Sequence, residues 1–288
     1  MFVLGIDINI DPDIGTFGPL TLTWHGLFTA IAIAAAVWIV AWIAGRDGYS
    51  RDTIYNLALI AIPSGIVGAR TLYVFEHLDF FRDNPGSIVS ITEGGISVIG
   101  AIVGGAIGLW VFMLVTKTPG KALVADATAI GVMAAQGIGR IGDLINGEHH
   151  AKVTDLPWGV RYIHPNTLGE FGLTVHPVAG GYEIIGALVI IGLLFLLRRV
   201  IKVRAGYIFW SYAILYSIMR IAFSPLRTNE QTVGSSDLSV PQLISLIIIG
   251  ISVAAILYTM KFVKVAPLPA AAPTPPPAAA PTTRRLRS

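Results

Sequence analysis

Strongly apolar stretches alternate with short polar or basic segments along the chain, at roughly 20–44, 54–76, 96–116, 122–146, 178–197, 206–223 and 240–262. Each approaches the roughly 20 apolar residues that a helix needs to cross about 30 Å of hydrocarbon, where backbone polar groups must be satisfied within the element. The pattern predicts an all-α, polytopic membrane protein with about seven transmembrane helices spanning residues 1–264. The sizeable polar insertion at 149–176 carries Pro157, Trp158, His164, Pro165 and His176 and is long enough to form a small cap on the outer face. Residues 265–288 are Pro/Ala-rich, cannot build a core, and are expected to be a disordered cytoplasmic tail.

Composition sharpens this picture. The 288 residues are 54% hydrophobic and only 13% charged, with a mean hydropathy of +0.70, which excludes an ordinary soluble domain. A net charge of +3 does not imply a nucleic-acid partner, because the basic residues fall where they set topology. Arg46, Arg51, Lys117, Lys121, Arg198, Arg199, Lys202, Arg204, Lys261, Lys264 and the tail residues Arg284, Arg285 and Arg287 share one side; Arg82, Lys152, Arg161 and Arg227 lie on the other. The richer side is expected to be cytoplasmic, which puts the N-terminus outside and the C-terminus inside. Asp7, Asp11 and Asp13, rather than basic residues, precede the first apolar run, so a cleaved signal peptide is not expected. The chain has no cysteine, so disulfides and thiolate chemistry of its own are excluded, and any reacting thiol must come with a substrate.

Three arginines, Arg70, Arg140 and Arg220, sit inside these apolar stretches, and the expected topology brings all three near the outer end of their helices. A guanidinium is costly in lipid and turns to a partner or a wet cavity, so three at one depth point to an anion site, with a phospholipid headgroup as the anion. The same layer gathers His25, Tyr73, Glu93, Ser97, Gln136, Asp143, Asn146, Glu148, His176, Tyr182, Glu183, Tyr216 and Arg227. Helical spacing puts Gln136, Arg140, Asp143 and Gly147 on one face, and makes Tyr216 and Arg220 neighbours one turn apart. For any one arginine the ordinary alternative is snorkelling, or a structural pair with Asp143 or Glu183. Gly131, Gly137, Gly139 and Gly142 read first as close-packing positions that also leave room beside Arg140. His149, His150 and His164 lack metal-ligand spacing, so no metal and no cofactor are expected.

The segment GIGRIGDLINGE at 137–148 resembles the signature of the prolipoprotein diacylglyceryl transferases, usually G-x-G-R-x-G-N-F-x-N-G-E. Further segments follow in order: WHG at 24–26 is similar to the family's W-Y-G, GARTLYV at 68–74 to G-A-R-L-x-Y-V, and GGIS at 94–97 to the start of G-G-M-S-x-H-G-G. HPVAGGYE at 176–183 is similar to H-P-x-x-L-Y-E, YSIMR at 216–220 to Y-x-x-x-R, and PQLIS at 241–245 to the last-span G-Q-x-L-S. The resemblance implies a seven-span plasma-membrane enzyme that moves the diacylglyceryl group of phosphatidylglycerol onto the lipobox cysteine of preprolipoprotein signal peptides, releasing glycerol 1-phosphate. It implies Arg140 and Arg220 on the headgroup phosphate, with Arg70, Asp143, Asn146, Gly147, Glu148, Glu183 and Tyr216 forming the substrate-binding set.

Four departures from the family pattern bear on the chemistry. Ile99 stands where the third-span histidine belongs, His25 replaces the first-span tyrosine, Asp143 the signature's first asparagine, and Ser224 the acidic residue one turn after Arg220. His25 lies in the same outer layer and is the candidate base in place of the missing imidazole. The other readings are a lipid-binding relative that does not catalyse transfer and, from a different class, an anion transporter, which accounts for the arginines but not for the ordered segments.

Overall fold

The computed structural model describes residues 5–18, 20–90, 94–118, 120–148, 150–200, 205–228 and 230–262. The expected tail at 265–288, and Glu93 and His149, lie outside the described residues. The chain is mostly helical, as expected. Its long helices are α1 (Trp24–Arg46), α2 (Arg51–Glu76), α4 (Val98–Val115), α5 (Lys121–Asn146), α6 (Glu183–Val200), α7 (Tyr207–Phe223) and α8 (Val240–Phe262), with a short α3 (Leu78–Asp83) after α2. Six of the long helices are apolar and long enough to cross a membrane, α6 together with the π turn Val178–Tyr182 that leads into it; α7, of 17 residues, is shorter and packs on α5, α6 and α8.

Residues 20–23, expected as the start of the first span, are instead strand β3 (Leu20–Thr23), paired antiparallel with β2 (Asp13–Phe17). Thr23 ends the strand and starts the helix: its Oγ1 accepts from Gly26 N at 3.0 Å, satisfying a first-turn donor that the helix cannot. Ser50 caps α2 in the same way through Thr53 N.

Two helix pairs pack backbone to backbone because glycines stand at the contact. In α2 against α4, a Cβ on Gly68 would stand 2.7 Å from Gly104 Cα, and one on Gly100 would stand 3.0 Å from Ala69 Cα. In α1 against α5, a Cβ on Gly142 would stand 2.8 Å from His25 Cα, so the missing side chain is what lets His25 approach α5. The main apolar core joins the end of α1 (Val40, Ile43, Ala44), the start of α2 (Ile54, Leu57), Met113 of α4, the start of α5 (Val124, Ile130), Leu194 of α6 and Ile208 of α7. Asp126 closes that end of the bundle, accepting from Gly206 N and Phe209 N at 2.8 Å each and so capping α7 from α5.

The opposite end carries the cap, which the sequence placed at 149–176. It includes a three-stranded sheet of β1 (Ile6–Ile8), β4 (Val160–Tyr162) and β5 (Thr174–Val175), β1 pairing parallel and β5 antiparallel to β4. Arg161 locks the first pair with a two-pronged grip on Asp7, 2.8 Å on each arm. That hydrogen bond holds the Asp7 carboxyl below its usual range. Tyr162 ties the sheet to the bundle, its hydroxyl donating to Leu144 O at 2.9 Å. Ala151, Val160, Tyr162, Val175 and Val178 form a small separate core over the end of α5.

Candidate active site

Beneath the cap, the polar residues of α5 and its neighbours form one continuous array of alternating charge. Its centre is Arg140, whose Nη1 donates to Asp143 Oδ2 at 2.5 Å and whose Nε lies 2.6 Å from Glu183 Oε2. Asp143 and Glu183 are both buried, so each carboxylate depends on such a partner to offset its lost hydration. Asp143 uses its other oxygen on His25, with Oδ1 2.7 Å from Nδ1, and Glu148 Oε2 stands 3.3 Å from the same nitrogen. Glu183 uses its other oxygen on Arg227, with Nη2 2.5 Å away.

The array continues onto α7. Glu230 Oε1 lies 2.6 Å from Arg220 Nη2 and 3.8 Å from Arg227 Nε, while its Oε2 accepts from the hydroxyls of Ser224 and Ser239. Burial alone pushes the Glu230 carboxyl up, but the hydrogen bonds from Ser224, Ser239 and Arg220 and the Arg220 charge outweigh it and hold the group below its usual range. Arg220 Nη1 is buried with no hydrogen-bond partner among the described residues. A buried guanidinium N–H left unpaired is costly, and it marks a place where an anionic oxygen fits.

Local structure explains why these groups converge. Gly147 ends α5 in the left-handed region at φ 76°, and a Cβ there would meet Gly169 N at 2.8 Å; this turn carries Glu148 back toward His25. Asn146 is buried and donates through Nδ2 to Glu148 Oε1 at 2.8 Å, and its carbonyl accepts from Leu168 N, joining α5 to the cap. Glu183 follows the π turn Val178–Tyr182, an irregularity often found where a helix must aim a functional side chain. Tyr216 lies one turn before Arg220 and lines a cleft with Arg140, Glu183, Gln136, Met133 and Met219.

Arg70 is placed differently from the other two helix arginines. Its guanidinium donates to the carbonyls of Ile88, Gly94, Gly95 and Ser87, at 2.5 to 2.8 Å. Those bonds pin residues 87–88 and 94–95 to α2, and a Cβ on Gly95 would stand 2.8 Å from Arg70 Nη1. The structure therefore brings Arg140 and Arg220 into one array with His25, Asp143, Glu148 and Glu183, whereas Arg70 braces backbone carbonyls next to α4.

Two members of the array were not assigned from the sequence. Arg227 belongs to the sequence-derived outer layer by position only, without a role, and Glu230 has no place in that layer. The available signal was the opposite charge three residues apart, Arg227 and Glu230, directly after a helix carrying a buried arginine. The structure also explains Ser224: the hydroxyl that replaces the family's acidic residue holds Glu230, which reaches Arg220 from the loop instead.

The model of the prolipoprotein diacylglyceryl transferase family matches residues 12–258. The chain belongs to this family. Proteins named phosphatidylglycerol–prolipoprotein diacylglyceryl transferase are similar to it over most of both lengths. That of Dehalococcoides mccartyi strain CBDB1 is 32% identical over 257 residues, covering 88% of this chain and 96% of its own. That of Listeria innocua is 31% identical over 260 residues, covering 86% and 90%. That of Clostridioides difficile strain 630 is 32% identical over 243 residues, covering 84% and 93%. Membership accounts for the ordered segments as a set, which a transporter built around the same arginines would not.

Proposed function

We propose that this transferase takes phosphatidylglycerol as donor and moves its diacylglyceryl group onto the cysteine thiol of a preprolipoprotein lipobox, the first step of bacterial lipoprotein maturation. The observation that carries this reading is the array under the cap, which sets Arg140 beside a cleft between α5 and α7 and leaves a buried Arg220 N–H without a partner among the described residues. The donor is an anionic phosphodiester. A guanidinium can bind two of its oxygens in one plane and stabilise the charge that gathers on the phosphate as the glycerol carbon–oxygen bond breaks. Apolar walls at Met133 and Met219 suit the glyceride end of the same lipid. The reaction is a displacement at carbon without net oxidation, and the acceptor supplies the sulfur that this chain lacks.

In this reading α7 is the seventh crossing. The protein is an integral component of the bacterial plasma membrane, with its N-terminus and cap outside, where signal peptides emerge, and its C-terminus in the cytoplasm. Asp143, Asn146, Gly147, Glu148, Glu183 and Tyr216 shape the donor site around the two arginines, and Arg70 braces backbone carbonyls next to α4.

Complementation of a strain depleted of its own diacylglyceryl transferase tests the proposal. The wild-type chain, confirmed in the membrane, should restore growth and modified lipoprotein precursors. Binding of phosphatidylglycerol without restored modification would instead identify a lipid-binding relative.

A further inference from the structure

A cysteine thiol with an ordinary pKa of about 8.5 is mostly protonated at neutral pH, so transfer to it is faster if a base removes its proton. Ile99, at the family's histidine position, is an exposed apolar residue at the start of α4 and offers no such group. From the geometry under the cap we infer that Asp143 and His25 act as a dyad, Asp143 positioning His25 so that Nε2 takes the proton of the acceptor thiol. This deepens the transferase reading above and rests on it.

The argument starts from the two carboxylates around one ring nitrogen. Asp143 Oδ1 at 2.7 Å and Glu148 Oε2 at 3.3 Å both face His25 Nδ1, and a carboxylate only accepts, so in the neutral ring Nδ1 carries the hydrogen. Nε2 is then the nitrogen with the free lone pair. The His25 side chain is 44% exposed while that of Asp143 is 5% exposed, so the ring meets a substrate and the orienting carboxylate stays dry. The second oxygen of Asp143 is on Arg140 at 2.5 Å, which places the base one carboxylate away from the guanidinium assigned to the phosphate. Gly142 supplies the room for this approach.

The step balances within the two substrates. His25 Nε2 takes the S–H proton, and the sulfur electron pair forms a bond to the glyceride carbon. The bond from that carbon to the phosphate oxygen breaks, and the oxygen keeps its electrons. The imidazolium then returns the proton to the departing glycerol phosphate. Asp143 touches neither reacting atom and is a positioning residue.

The two departures from the family pattern therefore belong together. An asparagine at position 143 would turn its N–H₂ away from the Arg140 donor and toward His25 Nδ1. That forces the hydrogen onto Nε2 and leaves the ring unable to accept. Asp143→Asn should accordingly disable His25 although it changes little in shape.

The test uses the full chain in detergent with phosphatidylglycerol and a synthetic lipobox peptide bearing either cysteine or selenocysteine. A selenol is already ionised at neutral pH and does not need a base. His25→Gln should slow transfer to cysteine by about 10²-fold or more while transfer to selenocysteine changes only a few-fold, and Asp143→Asn, which also weakens the hold on Arg140, should lose clearly more toward cysteine than toward selenocysteine. The triple variant His25→Tyr, Asp143→Asn, Ile99→His, which restores the family pattern, should recover transfer to cysteine. Equal loss toward both nucleophiles would assign the pair a structural role, and full activity of His25→Gln on cysteine would overturn the dyad outright. A wild-type protein that transfers to neither peptide would instead sink the transferase reading itself.

Discussion

Glu230 reaches Arg220 across the turn that follows α7, with Oε1 2.6 Å from Nη2, and the hydroxyl of Ser224 holds its other oxygen. A carboxylate that could have stood on the helix beside its arginine comes instead from a loop. The Glu230 side chain is 11% exposed, so its removal leaves a buried cation uncompensated. Glu230→Gln is expected to lower transfer activity about 10-fold or more, since even ~1.4 kcal/mol of misplacement corresponds to tenfold. Adding Ser224→Glu, which returns the carboxylate to the helix, should recover most of it. An unaffected Glu230→Gln, measured in the same membranes, would show that Arg220 does not need this partner.

The same pair sets a pH limit. The folded-state pKa of Glu230 lies below its ordinary value of 4.5, so its contribution to stability is present above about pH 4.5 and is lost as pH falls through the lower folded value. Thermal midpoints of the detergent-solubilised wild type should therefore drop more steeply than those of Glu230→Gln between about pH 5 and pH 3. Parallel curves would mean that other carboxylates dominate acid unfolding.

Arginine geometry is separable from arginine charge. Lysine keeps the charge but loses the planar fork, and it cannot reach both Asp143 and Glu183 as Arg140 does. Arg140→Lys and Arg220→Lys should insert normally yet lose most transfer activity. Arg70→Lys should be marked by faster amide exchange around residues 87–88 and 94–95, because four carbonyls lose their shared donor. Near-normal transfer in both Arg140→Lys and Arg220→Lys would reduce these residues to diffuse positive charge.

The helices were legible in the sequence because lipid leaves so few ways to satisfy a backbone: the last span, expected at 240–262, is α8 to the residue. The first was misjudged at its start because Leu20 and Leu22 are as apolar in a strand as in a helix, and only the cap at Thr23 marks the change. The site was legible in part. Gln136, Arg140 and Asp143 are close in sequence, and helical spacing predicts their shared face. The pairing of Glu230 with Arg220, by contrast, depends on how a polar loop folds back, and no periodicity encodes that. His25 and Asp143 are 118 residues apart, and their contact depends on a helix approach that sequence spacing does not report.

Topology is open to direct chemical labelling. Val153 is 63% exposed in the cap, whereas its neighbour Thr154 is buried, so Val153→Cys is the better probe of that face. In intact cells an impermeant thiol reagent should label Val153→Cys and spare Thr282→Cys, the chain having no cysteine of its own to confuse the signal. Labelling of Thr282→Cys without cell lysis would reverse the assigned orientation.

The approach of α1 to α5 gives the most local prediction. A methyl group on Gly142 would stand 2.8 Å from His25 Cα and 3.1 Å from Trp24 O, both backbone atoms that cannot rotate away. Gly142→Ala must therefore push the start of α1 off α5, lengthening the 2.7 Å contact between His25 and Asp143. Three residues earlier, a Cβ on Gly139 would meet nothing within 4 Å. Gly139→Ala should therefore leave transfer unchanged and gain slightly in helix stability, whereas Gly142→Ala should lose activity on a cysteine peptide by about 10-fold or more. Overpacking of this kind costs about 1–3 kcal/mol, enough to appear as a lower thermal midpoint for Gly142→Ala. If the two alanine variants behave alike in both measurements, close contact at Gly142 is not what holds His25 in place.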